Sequence, residues 1–165
     1  MAHSEAAIGG VHAETVAAIR RINVLTGFWY GRETIHPSES FPNGAEVATS
    51  HRAQLDLAGH CIVAHEYRRQ GHAIVDQALK MFGWDATCGR YTCHVFGTGQ
   101  PNPPRPAFGT WRDNALTLEQ SSNDGRVLFV YTFEGAFHYV FQMLMSQNGA
   151  RLMPVVEGRY ERHGQ

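Results

Sequence analysis

Two hydrophobic periodicities divide this chain. From about His12 to Leu25 the apolar residues Ala13, Val16, Ile19 and Ile22 share one flank at helical spacing, with Glu14, Arg20 and Arg21 elsewhere. After Gly27 that period disappears, and short alternating runs rich in aromatic and β-branched residues are separated by turn chemistry. The spacing predicts strands near 27–36, 45–56, 60–69, 72–84, 90–97, 106–112, 115–121, 126–134, 136–146 and 151–162. Turn signals between them include Pro42-Asn43-Gly44, Ala58-Gly59, Gln70-Gly71, Asp113-Asn114, Asn123-Asp124-Gly125 and Asn148-Gly149. About ten strands joined in succession imply an all-β, antiparallel up-and-down barrel, because closure removes the exposed edges of an open sheet. The helix has one apolar stripe and is expected to close one end of the barrel beside Trp29.

The hinge between the two regimes is Leu25 to Glu33. Gly27 lets the chain turn sharply out of a helix, Trp29 is large enough to floor a barrel, and Gly31 lets another group pack close to the strand. Parity constrains one hairpin. Val127, Phe129, Tyr131 and Phe133 share a face, as do Phe137, Tyr139, Phe141, Met143 and Met145, and a three-residue Glu134-Gly135-Ala136 loop aligns the two sets. His138 then faces away from the aromatic set, opposite Thr132, as a hydrogen-bonded histidine or a ligand contact. The segment Thr98 to Pro106 carries four prolines, which enforce a stiff extended path suited to a rim segment or a plain connector. Residues 1–11, ended by Gly9-Gly10, read as a flexible leader, and 12–165 as a single barrel domain.

Composition narrows the function classes. With 165 residues the chain can bury a sizeable core without disulfides or metals. Its 14 basic and 15 acidic residues balance to a formal charge of -1, which gives no electrostatic case for nucleic acid or an anionic membrane surface. Cys61, Cys88 and Cys93 form no CxxC pair and suggest reduced thiols in a cytoplasmic protein. No run approaches the ~18 apolar residues of a membrane span. Neither a zinc-ligand spacing, a phosphate loop, HExxH nor GxSxG is present, so no metal and no cofactor is expected.

Ordered landmarks carry a family likeness. Leu25 to Glu33 resembles the opening L-x-G-x-W-x-G strand of a bacterial calycin-like family catalogued as a domain of unknown function. Phe82-Gly83-Trp84-Asp85 followed by Gly89-Arg90-Tyr91 resembles its G-Y-D to R-Y hairpin. Gly109-Thr110-Trp111 before Leu116-Thr117-Leu118, and Ser146-Gln147-Asn148-Gly149 before Glu157 to Arg162, resemble its closing strands. The resemblance implies a lipocalin- or nitrobindin-like barrel with an internal cavity, and no particular activity. Nitrobindins hold haem through a histidine in the final strand; matching their closing pattern to Val155 through Arg162 puts Val155 at that position, so haem binding is disfavoured.

Cross-strand arithmetic supplies candidate chemistry. If Ala58-Gly59 and Gln70-Gly71 are two-residue turns, Arg52 lies opposite His65, and His65 opposite Asp76. Inside the barrel this row would be an acid/base relay, with Asp76 orienting the His65 imidazole and Arg52 binding a carboxylate or oxyanion. Outside, it is a ladder of solvated polar groups. Glu33 shares a face with Trp29 and Gly31, so it is either a catalytic acid or one half of a structural pair with Arg159; Glu157 invites the same two readings. Phe129, Tyr131, Tyr139, Phe141 and Met143, with Tyr67, form either barrel core or the wall of a ligand box.

These readings favour binding of a small, largely apolar molecule with a few polar handles inside the barrel. The alternative is an isomerase, cyclase or lyase that moves a proton with His65 and Asp76, or with Glu33. A third possibility is an interaction protein that forms a homodimer through outward apolar positions such as Leu128, Val130, Val140 and Leu144.

Overall fold

The structure is a computed structural model that describes residues 2–38, 41–98, 105–123, 125–147 and 149–164, with side chains from His12 onward. Helix α1 (Ala2–Arg21) leads through a short helical turn, Asn23–Leu25, into ten strands: β1 (Gly27–Ile35), β2 (Ala45–Asp56), β3 (Cys61–Gln70), β4 (Ala73–Asp85), β5 (Arg90–Gly97), β6 (Ala107–Arg112), β7 (Ala115–Ser122), β8 (Gly125–Phe133), β9 (His138–Gln147) and β10 (Met153–His163). All adjacent pairs are antiparallel, and β10 returns to β1 to close the barrel. The strand positions follow the sequence periodicity closely. The helix starts well before His12, and most of the proline-rich stretch from Thr98 to Pro106 lies outside the described residues.

Alternation puts one face of each strand in a continuous core. At the α1 end, Ile19, Ile22, Leu25 and Trp29 are fully or almost fully buried with Phe82, Leu116 and Leu118. Polar contacts help hold this plug to the barrel. Trp29 Nε1 donates to the Leu25 carbonyl at 3.0 Å, Tyr91 Oη donates to the Ala18 carbonyl at 2.9 Å, and Arg162 donates to the Val24 carbonyl while its guanidinium lies 4.6 Å from the Trp29 ring centroid. The helix therefore closes one end, as its single apolar stripe requires.

Register decides which residues meet. Arg52 does pair with His65, across a connection that spans Leu57 to His60. His65, however, pairs with Leu79 rather than Asp76. Two offsets produce the difference. The β3–β4 turn is Gly71-His72, with Gly71 at φ +60° and Gln70 paired to Ala73, and a bulge at Val75 adds one residue before Asp76 meets Arg68. The β8–β9 hairpin keeps the expected parity: Val127, Phe129, Tyr131 and Phe133 face Met145, Met143, Phe141 and Tyr139. Its loop is displaced by one residue, since Glu134 N bonds to the His138 carbonyl; Phe137 is consequently exposed, and His138 pairs with Glu161 instead of Thr132.

Candidate functional site

The middle of the barrel is polar. One row of paired residues runs Gly31, Thr49, Arg68, Asp76 across β1 to β4; the side chains of Thr49 and Arg68 are interior, and that of Asp76 is partly exposed at the cavity. Arg68 organises it. Its Nε donates to Glu33 Oε2 at 2.5 Å, its Nη1 to Asp76 Oδ2 at 2.7 Å, and its Nη2 lies 2.8 Å from Glu66 Oε1 as an ion pair. Glu66 Oε2 accepts from Lys80 Nζ at 2.6 Å, and Lys80 lies 5.0 Å from the Phe141 ring centroid. Tyr160 donates its hydroxyl to Glu33 Oε1 and stacks on Tyr139 with centroids 4.5 Å apart. Tyr139 Oη lies 3.0 Å from His51 Nδ1.

Electrostatics keep this network ionised where it is paired. Burial opposes ionisation of Glu66, but Lys80 and Arg68 outweigh it and hold the carboxyl down at about 2. Burial likewise opposes charge on Lys80 and Arg68, and their carboxylate partners prevail, raising both. His51 has no such compensation: burial lowers it to about 4, so the imidazole is neutral. Burial also drives the phenols of Tyr131, Tyr139 and Tyr160 upward and the Cys93 thiol to about 12. None of these groups is an available acid or nucleophile near neutral pH.

Beyond the network, at the end opposite α1, the barrel opens into a cavity of about 730 Å³. Strand β1 fixes this polarity, running from the helix at Gly27 to the mouth at Ile35. Ile35, Phe41, Met143, Met145 and Val156 line the cavity, and Arg68, Asp76 and Arg151 are the charged residues of its lining among the described residues. Arg151 lies at the rim, exposed.

The sequence-derived residues divide by face. Glu33 is fully buried, but its partners are Arg68 and Tyr160, while Arg159 is exposed and reaches toward Glu134 at 3.7 Å. Asp76 reaches the cavity and pairs with Arg68. Arg52 and His65 are exposed on the outer wall, in phase with each other and out of phase with buried Ala53, Ala64 and Glu66. The Arg52, His65, Asp76 relay is therefore not assembled. Tyr67 also alternates outward and receives the Arg69 guanidinium over its ring, and Glu157 faces outward to bind His36 at 2.9 Å and Gln142 at 2.9 Å. Of the aromatic and methionine set, Tyr131, Tyr139 and Phe141 are core, Phe129 packs partly buried against them, and Met143 lines the cavity.

Sequence reasoning passed over Arg68, Glu66, Lys80, His51 and Tyr160. The available signal was phase. Glu66 and Arg68 alternate with Ile62 and Ala64, and Lys80 with Phe82, so charged groups sat on faces that are otherwise apolar. Val155 lines the cavity mouth, and no histidine among the described residues does, so a histidine-ligated haem finds no ligand there. Among the described residues no cluster of three or more His, Cys, Asp or Glu is placed to hold a metal ion.

No protein-family model and no curated protein matches the chain. Solved structures do. Rv2717c from M. tuberculosis superposes with a TM-score of 0.67 at 10% identity, covering 89% of this chain and 98% of that one. The S-type phycobiliprotein lyase CPES from Guillardia theta gives 0.61 at 9% identity, covering 93% and 97%. At such identities the likeness is one of fold, and it supports a calycin-like barrel. No helix of the described residues is long and apolar enough to cross a membrane.

Proposed function

We propose that this protein binds a small, largely apolar molecule at the open mouth of its barrel. The observation that carries the reading is the cavity of about 730 Å³ between apolar walls, with a single ion pair, Arg68 to Asp76, as its polar anchor. That volume and balance suit a small-molecule site, and Met143 and Met145 can repack around different shapes. Deeper in the barrel the described interior is packed with core side chains, which favours a guest at the mouth. The barrel fold shared with the solved neighbours is an architecture that can hold one small ligand, which supports the same reading.

An enzyme of the isomerase or lyase kind fits less well. Its sequence-derived base, His65, lies outside; Glu33 has Arg68 and Tyr160 on its oxygens; and Asp76, the remaining carboxylate, is held by Arg68.

Titration of the full chain with Nile red, a neutral solvatochromic dye, tests the proposal. A blue-shifted, saturable signal is expected from the wild type, and a weakened one in Met143→Trp, whose indole takes up part of the cavity. A melting curve confirms that the variant folds. Absence of dye uptake by the wild type, or equal uptake by a folded Met143→Trp, would overturn the reading.

A further inference from the structure

The charge balance inside the barrel says what kind of polar end the guest should carry. In the network nearest the mouth, Glu33, Glu66 and Asp76 set three carboxylates against the two cations Arg68 and Lys80, while Arg162, also on the inner face, lies at the α1 end against Trp29 and the Val24 carbonyl. His51, buried and neutral, adds nothing. This network therefore holds one carboxylate more than it has cations, and the most exposed of the three is at the mouth. Glu33 and Glu66 are 0% and 4% exposed and engaged by Arg68, Tyr160 and Lys80, whereas the Asp76 side chain is 34% exposed.

Arg68 is a poor receptor for an anion. Its Nε and Nη1 are already given to Glu33 and Asp76, its Nη2 faces Glu66 at 2.8 Å and Glu33 at 3.4 Å, and its side chain is only 14% exposed. An incoming carboxylate would become a fourth negative group around one guanidinium, or would have to expel Asp76. Asp76 offers the opposite. Oδ2 accepts from Arg68, Oδ1 makes no hydrogen bond among the described residues, and Asp76 itself lines the cavity. Arg151 is the one further cation on the cavity lining among the described residues, and its exposed position leaves its charge to water.

We infer that the guest is an apolar molecule ending in a protonated amine, with its ammonium against Asp76 and its apolar body against Met143, Met145, Phe41 and Val156. The inference rests on the proposed binding function and names the ligand class of that same cavity. An ammonium supplies the missing positive charge and up to three donors to a carboxylate with an open oxygen. A neutral hydroxyl supplies one donor and no charge. A carboxylate supplies neither.

Competition against Nile red with three probes of one chain length separates the cases: decylamine, decanol and decanoate, each below its micelle concentration near neutral pH. Decylamine should displace the dye at a concentration about tenfold below decanol, corresponding to ~1.4 kcal/mol, with decanoate the weakest. In Asp76→Asn the amine should fall to the level of the alcohol while alcohol affinity stays the same; Arg151→Gln should leave the order unchanged. Decanoate matching or exceeding decylamine in the wild type would overturn the inference, and so would an amine preference that survives in Asp76→Asn. Displacement by decanol with no preference for the amine defeats the ligand class alone. Failure of the protein to take up Nile red or any of the three probes defeats the binding function beneath it.

Discussion

Arg68 Nε and Glu33 Oε2 lie 2.5 Å apart although β3 and β1 are not neighbours, so the ion pair passes across the inner face of β2. It can do so because β2 presents Thr49 and Val47 between them, side chains short enough to leave the path open. The pair thus ties non-adjacent strands where backbone hydrogen bonds cannot. Removing one partner leaves buried charge uncompensated, a loss of about 3–5 kcal/mol. Arg68→Met should therefore be strongly destabilising in urea. Glu33→Gln should lose less, since its amide can still accept from Tyr160. The double variant should fall short of the sum, because the two residues share the interaction. Additive losses would show that the pair is not coupled.

The outward row of Arg52 and His65 should be nearly silent. Both side chains are exposed, and the Arg52 guanidinium lies 5.1 Å from the ring centroid of the exposed Phe28. Arg52→Ala and His65→Ala should each shift the unfolding free energy by about 0.5 kcal/mol or less and leave Nile red uptake unchanged. A loss of uptake in either variant would place the site on the wrong wall.

That contrast marks where the sequence was legible. Strand identity was, because alternation over eight or more residues is a strong local signal, and Val127 to Phe133 could be matched to Tyr139 to Met145 by parity alone. Trp29, Gly31 and Glu33 were rightly placed on one inner face. The rows across β3 and β4 were not legible. A Gly-containing turn read one residue too early and a bulge at Val75 together exchanged the row of Arg68 and Asp76 for one of His65 and Asp76. Neither offset leaves a mark in the sequence near His65. The partner of Glu33 was equally hidden, since a contact that skips β2 follows from barrel closure and side-chain length, and strand pairing does not determine it.

Glycine spacing gives a separate prediction. A methyl on Gly158 would stand 2.7 Å from Glu33 Cγ and 3.1 Å from the Arg32 carbonyl oxygen. Both are fixed, one by the ion pair and the other by the β1–β10 ladder, so Gly158→Ala should cost about 1–3 kcal/mol through overpacking. Gly71 makes the comparison: its φ of +60° strains an alanine, yet nothing lies within 4 Å of an added methyl. Gly71→Ala should lose only about 1 kcal/mol, with no effect on the interior. Near-ultraviolet circular dichroism separates the two, because only the Gly158 variant should disturb the stacked Tyr139 and Tyr160. An unperturbed spectrum in Gly158→Ala would mean that Glu33 can move aside without cost.

Acid should weaken the fold in two stages, each with its own residue. His51 is lowered from 6.5 to about 4, so between those values the unfolded chain takes up a proton that the folded chain refuses. Stability contributed by neutral His51 is present above pH 6.5 and drains as pH falls toward 4, about 2 kcal/mol of it between pH 7.5 and 5. Glu66 is lowered from 4.5 to about 2, so its paired carboxylate stabilises the fold above pH 4.5, and that contribution is lost as pH falls through 2. Urea midpoints measured from pH 8 to pH 3 should accordingly fall first through the histidine window and then through the carboxylate window. His51→Gln keeps a neutral hydrogen-bonding side chain beside Tyr139 and removes the titration, so its profile should be flat from pH 6.5 to 4.5 and fall only below. A wild-type slope that persists unchanged in His51→Gln would assign the first stage to another group.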